Sequence, residues 1–324
     1  MKTQPLLLAL ALGTLASTSW AQTAPYPNKP IRLVVGFAPG GAADYVARSM
    51  SEAFSKALGG QTVIVENKPG NGSSIAADIV AKAAPDGYTM LIGSPSAISV
   101  NPALNPKLTY KPSDLLPVGK MTTSPLVLAV NPASPIKSVP DLIATAKKDP
   151  GKLNYSTSGN GSAPHLGMAL FNLLTGTEMT HVPYRGGAIA ITAVMAGETQ
   201  LTFGTSPSVL PQATAGKLRA IAVSTRERSP LVPDLPGMRE AGLPEYNLEF
   251  WYGMFLPAGT PPAIVKTVHE AVRTAMQQPS VKAALEREGT EVSLSATPEQ
   301  FGSFLVEDSK FWVNLVKTAN VKVD

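Results

Sequence analysis

The spacing of apolar and polar positions switches from strand to helix at a glycine-rich turn twice along the chain. Ile31-Arg32-Leu33-Val34-Val35-Gly36-Phe37 reads as a strand, breaks at Ala38-Pro39-Gly40-Gly41-Ala42-Ala43-Asp44, and resumes with helical spacing through Val46, Met50 and Phe54. Segment 153–156 repeats the device. It runs into Thr157-Ser158-Gly159-Asn160-Gly161-Ser162, and Leu166, Leu170 and Leu173 then form a helical stripe. Pro164 falls in the first turn of that helix, where a missing N–H costs nothing. Around these two copies the pattern predicts strands at 61–66, 88–93, 126–130, 180–182, 200–203, 218–223 and 250–256. It predicts helices at 73–84, 141–149, 188–196, 262–277, 281–288 and 298–318. Alternation of this kind predicts an α/β architecture with mainly parallel sheets.

Each turn points unpaired backbone N–H groups, at the positive end of a helix dipole, towards one spot, which suits a carboxylate, phosphate or sulfate. A single glycine-rich turn is compatible with tight packing alone; two of them favour a ligand held from two sides. Neither copy is followed by Gly-Lys-Ser or Gly-Lys-Thr, so a nucleoside triphosphate lacks its lysine. The dinucleotide fingerprint also fails, because Pro164 stands where a third glycine is needed. The turns lie more than 100 residues apart in the numbering, each with its own strands. This places them in different lobes, with the ligand beyond the carboxyl ends of the strands. The lobes are expected to comprise residues 22–123 with 248–324, and 124–247. The crossings fall near 121–125 and 246–251.

The N-terminus bears on location. A basic start at Met1-Lys2, an apolar stretch over 6–15 and the small-x-small site Ser19-Trp20-Ala21 read as a secretory signal peptide over 1–21. The apolar stretch is too short to span a bilayer. A soluble mature chain starting near Gln22 and exported to the periplasm is expected. With 44% hydrophobic residues the chain can bury a large core, and the absence of cysteine excludes a disulfide framework and a thiol nucleophile. The formal charge of +4 is scattered, with no basic stripe interleaved with aromatics, so no nucleic-acid partner is expected. His181 and His269 have no partners at ligand spacing, so neither a metal nor any other cofactor is expected.

Several segments then form a family pattern. Tyr26-Pro27-x-Lys29-Pro30-Ile31-Arg32, Gly36-Phe37-Ala38-Pro39-Gly40-Gly41-x-x-Asp44, Val65-Glu66-Asn67-Lys68-Pro69-Gly70-x-Gly72 and Pro85-Asp86-Gly87-Tyr88-Thr89 open it. Ser158-Gly159-Asn160-Gly161-Ser162, Val182-Pro183-Tyr184-Arg185-Gly186-Gly187, Gly216-Lys217-Leu218-Arg219-Ala220 and Trp251-Tyr252-Gly253 continue it. Across nearly the whole mature chain it resembles the Bug family, also called TctC, the periplasmic solute-binding proteins of tripartite tricarboxylate transporters. The resemblance implies a two-lobed periplasmic-binding-protein fold, type II-like, that closes on a carboxylate and passes it to a membrane transporter. Carried onto this chain, it implies ligand contacts from Phe37, Ala38, Gly40, Gly41 and Ala42 on one side, and from Ser158, Gly159, Gly161 and Ser162 on the other. A monomer is expected.

Further candidates come from position. Ser94 and Ser96 follow a strand and can offer hydroxyls beside the first turn. Thr205 and Ser206 end another strand, and His165, in the first turn of the second helix, can donate to a ligand or merely pack. Arg185 is placed either at the pocket mouth or on the surface. Asp44 and Arg48 are spaced to pair on a helix. Many relatives resemble one another in carrying an acid where Gly204 stands. Its absence disfavours an amino-acid ligand and favours a dicarboxylate or an aromatic acid such as terephthalate, with Phe37 and Tyr45 available for stacking or for packing. Gly161→Val is expected to weaken binding without unfolding the chain. The alternative is a serine-type hydrolase of a small acid ester, but Gly204-x-Ser206-x-Ser208 lacks the closing glycine and no histidine has an obvious route to it. A binding protein rather than an enzyme is expected.

Overall fold

The computed structural model describes residues 25–321, so the signal-peptide expectation for 1–21 lies outside the described residues. In chain order the first part comprises β1 (Ile31–Val35), α1 (Ala42–Ala57), β2 (Val63–Asn67), α2 (Ser74–Ala81), β3 (Thr89–Gly93), α3 (Asn101–Leu104) and β4 (Leu115–Val130). Next come α4 (Val139–Lys148), β5 (Asn154–Thr157), α5 (Ala163–Thr175), β6 (Thr180–Pro183), α6 (Gly187–Ala196), β7 (Leu201–Thr205), α7 (Ser206–Thr214) and β8 (Arg219–Val223). The chain ends with β9 (Glu249–Pro257), α8 (Pro262–Met276), α9 (Pro279–Arg287), β10 (Glu291–Val292) and α10 (Pro298–Thr318). Local chemistry sets several starts. Ser138 caps α4 by accepting the Asp141 N–H at 3.2 Å, and Thr297 caps α10 by accepting the Gln300 N–H at 3.1 Å.

The sheet runs β2-β1-β3-β9-β4-β7-β5-β6, with β8 and β10 also paired to β4. Parallel pairing is confined to two triads, β2-β1-β3 and β6-β5-β7. Each glycine-rich turn follows the middle strand of its triad. Between the triads the sheet is antiparallel, carried by β9 and the 16-residue β4. β4 pairs with β9 up to Pro125 and with β7 and β8 from Leu126 onward. The hydrophobic pattern predicts only the last five residues of β4, because Pro117, Gly119 and Pro125 interrupt its alternation. Irregularities at 117/119 and 120/122 absorb those breaks. The pattern also misses α7, whose Pro207 and Pro211 disguise it, and a π-helical turn at Ser96–Val100 leading into α3.

Val46, Met50 and Phe54 are fully buried, as the first stripe predicts. The second stripe is rotated from the one expected. Leu166 is buried, but Leu173 is 46% exposed and Phe171 turns inward instead. The cause is Gly167: a Cβ there would lie 2.9 Å from Leu126 Cδ1, and its carbonyl accepts the Tyr246 hydroxyl at 2.9 Å. The bare backbone at 167 lets α5 pack that face against the sheet.

Candidate ligand-binding site

A narrow cleft lies at the carboxyl ends of β1, β5 and β7. Gly41 and Ala42 bring the start of α1 to it, Ala163 and Pro164 the start of α5, Gly187 the start of α6, and Thr205 and Ser208 the start of α7. Four helix N-termini thus surround one space. Phe37, Ser158, Ala190, Ile191, Thr202, Gly204, Phe250 and Tyr252 complete the walls. No carboxylate, lysine, arginine or histidine is among these residues. An anion here is met by N–H and O–H groups alone.

The first turn is locked by Asp44, which is buried within α1. Its carboxylate accepts the Gly40 N–H at 3.0 Å, Arg48 Nε at 2.9 Å and Asn67 Nδ2 at 3.0 Å, and Asn67 Nδ2 also donates to the Phe37 carbonyl at 3.0 Å. Burial alone would raise the Asp44 pKa, but the hydrogen bonds from Arg48, Gly40 and Asn67 outweigh it and hold the carboxyl below its usual range. The expected Asp44–Arg48 pair is present. The Ala43 N–H is within hydrogen-bond reach of the buried Tyr252 hydroxyl. Among the described residues no protein acceptor meets the Ala42 N–H.

The second turn is locked in the same manner. His165 Nδ1 accepts the Gly161 N–H at 3.2 Å, and Thr157 Oγ1 accepts the Gly159 N–H at 3.2 Å. In each turn a side chain four residues downstream captures a glycine amide. The Gly40, Gly159 and Gly161 amides are therefore engaged within the protein, while among the described residues the Ala163 N–H has no acceptor.

Behind this turn His165 stacks on His181 with ring centroids 3.9 Å apart, and His181 Nε2 lies 2.6 Å from Thr157 Oγ1. Burial pushes the His165 pKa down to about 4; burial and the neighbouring His165 push His181 down to about 3. Both rings are neutral at pH 7. Below about pH 6.5 the unfolded chain takes up protons that the fold refuses, so this contribution is complete above that pH and is lost as pH falls towards 4 and then 3. His165→Gln should accordingly flatten the decline of the urea midpoint between pH 7 and pH 4.5. A decline as steep as in the unmodified chain would contradict the buried neutral pair.

Gly204 lies against an apolar wall. A Cβ there would meet Val209 Cγ2 at 2.6 Å and Ile191 Cδ1 at 3.3 Å. Thr205 Oγ1 and Ser208 Oγ are 3.0 Å apart and share one hydrogen bond, which leaves one hydroxyl proton for a ligand. The Ser206 hydroxyl donates to the Pro125 carbonyl at 2.8 Å and, among the described residues, has no histidine partner, so the hydrolase alternative has no nucleophile–base pair. His269 faces the Val118 and Ala296 carbonyls. Among the described residues no group of three metal-ligating acids or histidines comes together.

Of the candidates read from sequence, Phe37, Gly41, Ala42, Ser158 and Thr205 line the cleft. Ala38 and Gly40 belong to the first turn but pack on α6: a Cβ on Gly186 would lie 2.8 Å from Ala38 Cβ, and one on Gly40 would lie 3.7 Å from Ala188 Cβ. Ser94, Ser96 and Ser162 are buried outside the lining, as are Gly161, His165 and Ser206, and the half-buried Gly159 also lies outside it. Arg185 is exposed, and the Tyr45 hydroxyl donates to the Ala284 carbonyl at 2.8 Å rather than facing the cleft. Sequence reasoning missed Gly187, Ser208, Phe250 and Tyr252 as lining residues. Gly186-Gly187 carried a signal, being a third strand-to-helix glycine turn. Phe250 and Tyr252 carried none, because β9 is buried along nearly its whole length.

An uncharged cleft at the ends of two parallel triads, with helix starts converging on it, offers N–H and O–H donors to a small ligand. Residues 46–321 match the tripartite tricarboxylate transporter family receptor, TctC, and the chain belongs to this family of periplasmic solute-binding receptors rather than to the enzymes. It is 35% identical to BugT of Bordetella pertussis over 300 residues, covering 92% of this chain and 91% of that protein. Among solved structures, R. palustris Rpa4515 with adipate is 34% identical with a TM-score of 0.88, covering 92% of this chain and 99% of that one. MatC (Rpa3494) from Rhodopseudomonas palustris with bound malate is 33% identical with a TM-score of 0.85, covering 90% and 100%. Among the described residues no helix is long and apolar enough to cross a membrane.

Proposed function

We propose that this chain captures a small carboxylate outside the cytoplasm and delivers it to the membrane subunits of a tripartite tricarboxylate-type transporter. The observation that carries the proposal is the meeting of unpartnered amides, those of Ala42 and Ala163, with the helix starts of α6 and α7 in a cleft free of charged side chains. Hydrogen bonds to a charged group contribute roughly 1.5–3 kcal/mol each, so three or four supply about 5–12 kcal/mol, a range that includes the ~8 kcal/mol of micromolar binding. The lobes are residues 22–123 with 248–324, and 124–247. The exchange of β4 partners at Pro125 supports this division, and closure of one lobe on the other traps the ligand. The exported form starts near residue 22 and acts as a monomer.

A dicarboxylate or an aromatic acid such as terephthalate fits best. Phe37, Ile191, Phe250 and Tyr252 offer apolar area to a ligand body, and the cleft has no carboxylate to meet an ammonium group. The adipate and malate bound to the two related structures favour the dicarboxylate. In a thermal-shift screen, dicarboxylates and aromatic acids should raise the melting midpoint while amino acids leave it unchanged, since a ligand selective for the native state stabilises it by mass action. A midpoint raised by amino acids alone would overturn the assignment.

A further inference from the structure

Strand β9 presents two faces where its pairing with β4 ends. Phe250 and Tyr252 line the cleft, and their rings meet edge to face with centroids 4.9 Å apart. Trp251, between them, points to the opposite side of the sheet, because side chains alternate along a strand. There it lies against α10. Its ring meets Phe301 and Phe304 edge-on at 5.6 and 5.9 Å, and its Nε1 donates to Asp308 Oδ2 at 2.8 Å. Trp251 pairs with Thr123 of β4, two residues before that pairing ends at Pro125 and Glu249. Helix α10 thus holds β9 directly behind the cleft wall.

A carboxylate in this position is costly to keep charged. Asp308 is half-buried, and among the described residues it forms no ion pair. The charged groups around it are Lys120 of β4, Glu249 of β9 and Glu291 of β10; both glutamates act on Lys120, whose amine lies 4.6 Å from the Phe304 ring centroid. On α10 itself Glu307 is paired with Lys310 at 2.7 Å. Burial pushes the Asp308 pKa up to about 6, more than the Trp251 N–H and the Lys120 amine pull it down. Asp308 also lines a small surface pocket with Lys120, Glu249, Trp251 and Phe311, which gives a proton a way in.

We propose that Asp308 is a positioning residue for the cleft: through Trp251 it fixes the stretch of β9 that carries Phe250 and Tyr252, and a proton on its carboxylate loosens that hold, so ligand affinity falls in mildly acidic medium. This inference rests on the carboxylate-binding reading and adds a regulation to it. A hydrogen bond to a carboxylate is roughly twice as strong as one to a neutral acid, so the Trp251 bond weakens when the proton arrives. The contribution of Asp308 to stability moves the other way. Its folded pKa near 6 lies above the unfolded value near 3.9, so the ionised group costs stability above pH 6, and that cost is relieved as pH falls towards 4.

The test compares Asp308→Asn with the unmodified chain, by calorimetry with malate and adipate at pH 7.5 and pH 5. Asparagine keeps an oxygen for the Trp251 N–H but carries no charge, as the protonated acid does. At pH 7.5 the variant should bind about threefold to tenfold more weakly although it melts no lower, and at pH 5 the two proteins should agree within about twofold. Taking their ratio at each pH cancels the titration of the ligand itself. Without ligand, tryptophan emission should change with a midpoint near pH 6 in the unmodified chain and lose that step in Asp308→Asn. The same affinity ratio at both pH values, a variant that melts well below the unmodified chain at pH 7.5, or an emission step that persists in the variant would overturn the proposal and leave the carboxylate reading intact. Binding of neither acid by the unmodified chain would overturn the carboxylate reading and this inference with it.

Discussion

Gly161→Val is expected to lower carboxylate affinity by at least a hundredfold and to reduce stability by about 1–3 kcal/mol. Gly161 has a φ of +68°, in the left-handed region that a β-branched residue rarely enters. Its Cβ position lies 2.2 Å from Asn101 Oδ1, where no side-chain atom fits. Asn101 cannot retreat freely, since its Nδ2 holds the carbonyls of Asn71 and Gly72. The second turn approaches the first triad through this contact, and Asn160 O would come within 2.5 Å of a Cβ on Gly72. A side chain at 161 therefore wedges the two triads apart where closure needs them together. From sequence alone the substitution is expected to weaken binding without unfolding the chain; the geometry adds a stability cost, because a valine at 161 would be strained as well as crowded. Calorimetry and a denaturant titration read the two effects separately. Affinity equal to that of the unmodified chain would contradict the proposed closure.

Asp44→Ala is expected to cost about 2–4 kcal/mol of stability and most of the ligand affinity. The substitution strips the acceptor from the Gly40 N–H, Asn67 Nδ2 and Arg48 Nε together, leaving the partly buried Gly40 N–H unsatisfied and Asn67 Nδ2 with only its bond to the Phe37 carbonyl. Arg48 is about half exposed and can turn to water, so the loss falls mainly on the turn. Without the Gly40 anchor the Gly41–Ala42 segment loses its fixed geometry, and an ordered amide becomes a mobile one. Asp44→Asn keeps one acceptor oxygen and should recover part of the stability. The sign with pH follows from the depressed carboxyl: this stabilisation is present above the unfolded pKa near 3.9 and is lost as pH falls through the lower folded value. Equal urea midpoints for Asp44→Ala and the unmodified chain at pH 7 would refute the locking role.

The two turns were legible in the sequence because each changes the hydrophobic period at its glycines, and the helix that follows the first buries the very residues its spacing predicts. What the turns do with their amides was less legible. The glycine N–H groups at 40 and 161 are captured by Asp44 and His165, so the amides left for a ligand are those of Ala42 and Ala163, two residues further on in each turn. The spacing Gly-x-x-x-Asp and Gly-x-x-x-His was visible, but whether a side chain curls back onto its own turn depends on burial that only the packed fold supplies. The first eleven residues of β4 were hidden for another reason: a strand broken by Pro117, Gly119 and Pro125 loses its alternation and is held in place by β9. The same logic hid Phe250 and Tyr252. On a strand buried on both faces, nothing local distinguishes a residue that lines a cleft from one that fills the core.

The central claim is that main-chain amides from two facing turns, rather than any cationic side chain, hold the ligand's negative charge. A crystal structure of the chain with adipate or malate bound tests it most directly. The account predicts a carboxylate oxygen within about 3 Å of the Ala42 and Ala163 nitrogens, with no lysine or arginine in contact. A carboxylate paired instead with Arg185 or another surface cation, or a ligand seated away from both turns, would contradict it.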